Sequence, residues 1–156
     1  LLLAVGFFLA TGSFNVSTVL HLDYPIIGSA IGVFLGLLFI LTIKLRKSPF
    51  DLSYSHHAHQ DLVKGVTTEM SGKVLGQVEI MHWCENILFL AWVAMFFVWD
   101  NPLCIPVVIV ALILIYLLEI WIDNNFARVK WQLLLKSAWV VTLIFAGINI
   151  GLLIYL

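Results

Sequence analysis

The chain of 156 residues is 62% hydrophobic and only 11% charged, with a formal net charge of −1 and a mean hydropathy of +1.07. A water-soluble domain presenting that much apolar surface would aggregate, and a near-neutral chain whose basic residues sit in short connections has no face for nucleic acid. The composition is that of an integral membrane protein.

Near-continuous apolar runs fall at about Leu1–Leu20, Ile26–Ile43, Val74–Trp99, Ile105–Ile122 and Leu133–Leu156. Each approaches the ~20 residues that carry a helix across ~30 Å of hydrocarbon. The expected fold class is therefore all-α, with five transmembrane helices in one membrane domain over residues 1–156. A barrel is disfavoured, because the runs lack the apolar-polar alternation of short strands. The first run opens the chain without an initiator Met or a charged leader, so the sequence reads as part of a longer protein.

The basic residues set the expected topology. Lys44, Arg46, Lys47, Lys64 and Lys73 surround the second connection, and Arg128, Lys130 and Lys136 surround the fourth. The first and third, His21–Pro25 and Asp100–Pro102, carry none. Alternate connections share a side, so the positive-inside bias directs the two basic loops of this multi-pass chain to the cytoplasm or its equivalent. Trp83, Trp99, Trp121 and Trp131 lie near expected span ends, as an aromatic belt requires.

Residues 44–73 form the one substantial soluble stretch, too short to hold a core of its own. Ser48-Pro49 turns the chain, and Asp51 is suited to brace that turn. From Ser55 the residues are helix-compatible, with Leu62, Val63 and Val66 making a short amphipathic stripe beside Asp61, Lys64 and Glu69. His56, His57 and His59 suggest a metal site at first sight. Adjacent histidines diverge on any regular element and no carboxylate or cysteine stands at a usual ligand spacing, so contact with a docked subunit is the reading adopted and no metal is expected. Cys84 and Cys104 lie near opposite ends of successive spans and read as packing residues.

Carboxylates inside apolar helices carry the functional signal. Glu79, His82 and Glu85 recur every three residues along the third run. An ionised side chain facing lipid at the bilayer centre costs at least ~2.5 kcal/mol, so these groups are expected to face protein or water. Desolvated carboxylates are suited to exchange protons near neutral pH. Glu69, Asp61 and Asp51 extend the expected path toward the basic side, and Glu119 and Asp123 stand one turn apart on the fourth run. Plainer roles stay open for each: Asp123 and Glu119 paired with Arg128 or Lys130 at the interface, Glu79 and Glu85 bonded to Gln77 or Asn86, and His82 as a structural residue.

The motif order PFDL (Pro49–Leu52), DLVKG (Asp61–Gly65) and TEMSG (Thr68–Gly72) at the mouth of a span resembles the signature loop of a membrane subunit of bacterial respiratory complex I, the NADH dehydrogenase subunit 1 family. Respiratory members follow PFDL with a proline-acidic stretch, whereas this chain has SYSHHAHQ. That variant, with EIMHWCE at Glu79–Glu85 and the basic segment from Asn124 to Trp139, is similar to the membrane subunit of energy-converting, Ech-type (group 4) nickel-iron hydrogenases. The resemblance implies the last five helices of an eight-helix subunit. It also implies partners: a nickel-iron large subunit, an iron-sulfur small subunit, an antiporter-like membrane subunit and lipid.

The resemblance further implies a non-catalytic subunit that couples ferredoxin oxidation and hydrogen evolution elsewhere to H+ or Na+ translocation. It assigns no cofactor to this chain and leaves the iron-sulfur clusters and nickel-iron centre to partner subunits. His56, His57, His59, Arg128 and Lys130 would meet the peripheral arm. The alternative is a quinone-chamber subunit of an NADH-dehydrogenase-type complex I. Discontinuous paired spans of a stand-alone transporter are not found.

Overall fold

The computed structural model describes residues 1–45, 69–126 and 129–155, apart from the Trp131 side chain. The elements are helices throughout: α1 (Leu2–Thr11), α2 (Val16–Leu20), α3 (Ile31–Lys44), α4 (Gly72–Met95), α5 (Cys104–Asn125) and α6 (Trp131–Tyr155), with a 3-10 turn at Ile26–Gly28. Three are long and apolar enough to cross a membrane, over Gly72–Met95, Cys104–Asn125 and Gln132–Tyr155. The amphipathic segment expected between Lys44 and Lys73 lies outside the described residues, except at its two ends.

The first two apolar runs differ from the expected unbroken spans. Gly12 takes φ 71°, the left-handed conformation that closes α1, and its N–H donates to the Phe8 carbonyl at 2.7 Å. Asn15 then caps α2, its Oδ1 accepting from the Ser17 N–H at 3.1 Å. In the second run Pro25 leads into the 3-10 turn, so α3 begins only at Ile31 and has 14 residues, about 21 Å of helix. At the start of α4, Gly72 adopts φ +54°, which a side chain would resist.

The two connections without basic residues come together at one end. Asp100 N–H donates to the Leu22 carbonyl at 2.8 Å, and Ile27 N–H donates to the Phe96 carbonyl at 3.1 Å. Beneath them an aromatic cluster ties α1, α3 and α4: Phe96 is fully buried, 4.8 Å from Phe7 and 5.1 Å from Phe34 between ring centroids. Trp92 adds an edge contact to Phe7 at 5.7 Å. Trp83, expected near a span end, sits instead in the middle of α4 with its ring exposed.

Cohesion between α3 and α6 has another origin. In lipid the hydrophobic effect does not drive helices together, so close backbone approach and interhelical hydrogen bonds do. Gly32 and Gly36, four apart on α3, meet Phe145, Asn149 and Ala146 of α6. Asn149 is buried, donates through Nδ2 to the Ser29 carbonyl at 3.0 Å and accepts from the Val33 N–H at 3.4 Å. Val33 stands in the first turn of α3, where backbone donors lack helical partners, so a distant helix caps this one.

Candidate functional site

Two polar residues interrupt the apolar run of α3 near its end, Thr42 and Lys44. Two residues on a helix are about 200° apart around the axis, so they reach different neighbours. Lys44 turns to α4, where Nζ lies 2.6 Å from Glu85 Oε1 and 5.8 Å from the centre of the Phe89 ring. Thr42 turns to α5, where its hydroxyl lies 3.3 Å from Glu119 Oε1. A short α3 beside a long α4 sets the depth of this layer. Glu85 lies about 20 Å along α4 from Gly72 and about 15 Å from Met95, well inside the span.

Burial separates the two carboxylates. Glu119 is 0% exposed and Thr42 is 4% exposed, whereas the side chains of Glu85 and Lys44 are 27% and 47% exposed. His82 Nδ1 stands 3.9 Å from Glu85 Oε2, longer than a hydrogen bond. An open pocket of about 420 Å³ is lined by Leu45, Asn86, Ile87, Leu90 and Tyr116, of which Leu45 and Asn86 adjoin Lys44 and Glu85 in the chain. A larger cavity of about 590 Å³ between α1, α3, α4 and α6 is walled almost entirely by apolar groups such as Leu37, Phe89 and Leu143.

Of the residues singled out in the sequence, the structure brings His82 and Glu85 together. Glu79 lies about 120° around α4 from Glu85 and is exposed. Glu69 is exposed just before α4, and Asp123 is half-buried one turn beyond Glu119. Lys130 is exposed, with its carbonyl accepting from Leu133 and Leu134 at the start of α6. Asp51, His56, His57, His59, Asp61 and Arg128 lie outside the described residues. Among the described residues no three His, Cys, Asp or Glu side chains converge as a metal site.

Two site residues carry no functional weight in the sequence alone. There Lys44 speaks only to topology and Thr42 does not stand out; the available signal is a pair of polar residues ending an otherwise apolar run. Glu119, open in the sequence between interface and interior, is the most deeply buried carboxylate described.

Comparison with known proteins bears on what such a layer serves. The chain is 29% identical over 111 residues to an H-type chain of the NADH-quinone oxidoreductase of Syntrophobacter fumaroxidans, covering 69% of this chain and 33% of the relative. It is 26% identical over 141 residues to the H-type chain of the NADH-quinone oxidoreductase of Dehalococcoides mccartyi strain CBDB1, covering 86% of this chain and 39% of the relative. The chain thus spans about a third of the length of these curated relatives. No solved structure matches it. The sequence model of the NADH dehydrogenase family matches residues 1–154, and this multi-pass helical membrane chain belongs to that family.

Proposed function

We propose that the chain is the anchoring and coupling part of a complex I-like oxidoreductase, in which electron transfer in a peripheral arm drives H+ or Na+ across the membrane. The observation that carries this reading is Glu119, a carboxylate with no solvent exposure in an apolar helix, held by Thr42 of α3, the helix whose Lys44 pairs with Glu85. Charged and polar groups at such depth cost insertion energy and mark ion pathways. His82, Asp123, Glu69 and Glu79 extend the candidate path on α4 and α5, with Asp51 and Asp61 in the connecting loop.

For the partner chemistry we favour an energy-converting hydrogenase, on SYSHHAHQ after PFDL and on EIMHWCE. Its nickel-iron and iron-sulfur subunits would dock on the basic, cytoplasmic loops through His56, His57, His59, Arg128 and Lys130. The second reading is a quinone-chamber subunit, and the names of the relatives favour it. Extraction of the purified assembly for bound quinone separates the two: stoichiometric quinone, with inhibition by quinone-site ligands, would replace the hydrogenase reading.

The coupling role is tested with Glu119→Gln in inside-out vesicles. Ion uptake falls by at least about tenfold. Electron transfer measured with the gradient dissipated continues. Undiminished uptake would remove Glu119 from the path.

A further inference from the structure

We infer, building on the coupling reading above, that α3 makes its two carboxylate neighbours inequivalent: Lys44 fixes Glu85 as a standing anion, while Thr42 equips Glu119 to load and release the proton.

Hydrogen-bond chemistry carries the distinction. A lysine ammonium has three donors and no lone pair, so it can complement a carboxylate but cannot accept from a carboxylic O–H. Lys44 Nζ at 2.6 Å from Glu85 Oε1 is a charge-assisted contact that favours the anionic form of the carboxyl. Protonating Glu85 would forfeit the charge attraction and leave a weaker bond from the ammonium to the acid's carbonyl oxygen.

A hydroxyl has one proton and two lone pairs, so it suits either state of its partner. Thr42 Oγ1 lies 3.3 Å from Glu119 Oε1 and 3.2 Å from the Leu38 carbonyl. One proton cannot serve both oxygens, and both distances exceed the ~2.7–2.8 Å of an optimised O–H···O bond. When Glu119 is ionised the hydroxyl donates to Oε1. When Glu119 is protonated its O–H donates to Oγ1 and the hydroxyl turns to Leu38. The exchange takes a hydroxyl rotation and no backbone movement.

Thr42 is thus a positioning residue, and so is Lys44. Among the described residues, the ionisable groups on neighbouring turns or in the adjoining ion pair are Lys44 on α3, His82 and Glu85 on α4, and Tyr116 and Asp123 on α5. An open pocket of about 420 Å³ lies at Leu45, Asn86 and Tyr116, while Thr42 and Glu119 themselves are buried.

The test is pH-difference infrared spectroscopy on the purified native assembly, reading the C=O stretch of protonated carboxyl groups. The expected result is a titrating band that Glu119→Gln abolishes and the double substitution Lys44→Met with Glu85→Gln retains. Thr42→Val shifts that band and Thr42→Ser restores it. A band lost with Glu85 and kept without Glu119 overturns the inference, as does a native assembly with no titrating carboxyl band, which a bound sodium ion would produce. If Glu119→Gln fails to assemble, the Thr42 pair decides: an unmoved band in Thr42→Val overturns the assignment. Loss of the band in Glu119→Gln with full ion uptake would leave the inference standing and overturn the coupling function itself.

Discussion

Replacing Gly32 by alanine tests how α3 and α6 hold together, with Gly36→Ala as its internal control. Both changes raise helix propensity by up to about 1 kcal/mol. They differ in what the new methyl group meets. At Gly32 it would fall 2.6 Å from the Asn149 Cβ and closer still to the Phe145 carbonyl, two atoms near or on the α6 backbone that cannot swing aside. At Gly36 it would meet the Ala146 Cβ and the Thr142 Cα at 4.0 Å, ordinary contact. Overpacking of this kind costs roughly 1–3 kcal/mol. Displacing Asn149 weakens its bonds to Ser29 and Val33, each worth about 0.6 kcal/mol by membrane precedent. Gly32→Ala is therefore expected to lie roughly 2–4 kcal/mol below Gly36→Ala in stability. Thermal unfolding in mild detergent, followed by the exposure of a cysteine placed at the crossing, measures the gap. Equal shifts for the two variants, or a more stable Gly32→Ala, would refute the close-approach account.

Asn149→Ala, which removes both bonds without adding bulk, is expected to cost about 1–2 kcal/mol in the same assay, and Asn149→Asp to recover part of the Val33 contact. Phe96→Ala empties the fully buried centre of the aromatic cluster and should cost about 3 kcal/mol, loosening α1 from α4 as read by protease access to the Gly12 region. Lys44→Glu sets two carboxylates against each other and should impair assembly, while adding Glu85→Lys restores an ion pair. Because the Lys44 side chain is 47% exposed, the coupling in that double-mutant cycle is expected to be only about 1 kcal/mol.

The membrane class and the helical character are legible in the sequence because they depend on composition summed over long runs, where single residues matter little. The first span contains a break that hydropathy does not show, for a local reason. Thr-Gly-Ser-Phe-Asn at 11–15 carries both a C-terminal glycine and an N-cap asparagine, and a hydropathy average passes over them. The packing of α3 on α6 is hidden differently. Gly32, Gly36 and Asn149 read individually as weak points in helices, and only their distant pairing shows that they are the contact. The i, i+3, i+6 spacing of Glu79, His82 and Glu85 suggests a shared face, yet each step of three falls about 60° short of a full turn. Over two steps the drift carries Glu79 out of the layer that Glu85 occupies.

That layer follows from a mismatch in length between neighbours. Because the 3-10 turn consumes the start of the second apolar run, α3 ends at Lys44, beside the interior of α4 and not at its mouth. Lys44 brings a cation to the last turn of α3, which complements the negative end of the helix dipole. The same cation meets Glu85 at 2.6 Å. Thr42 and Glu119 lie one step further into the protein, screened from the exposed flank that Lys44 covers. Lengthening α3 by a turn would lift Lys44 away from Glu85 by about 5 Å and strand that carboxylate in an apolar helix. The broken second run therefore goes with the placing of Lys44 against Glu85, while Glu119 beside Thr42 is the carboxylate that burial sets apart.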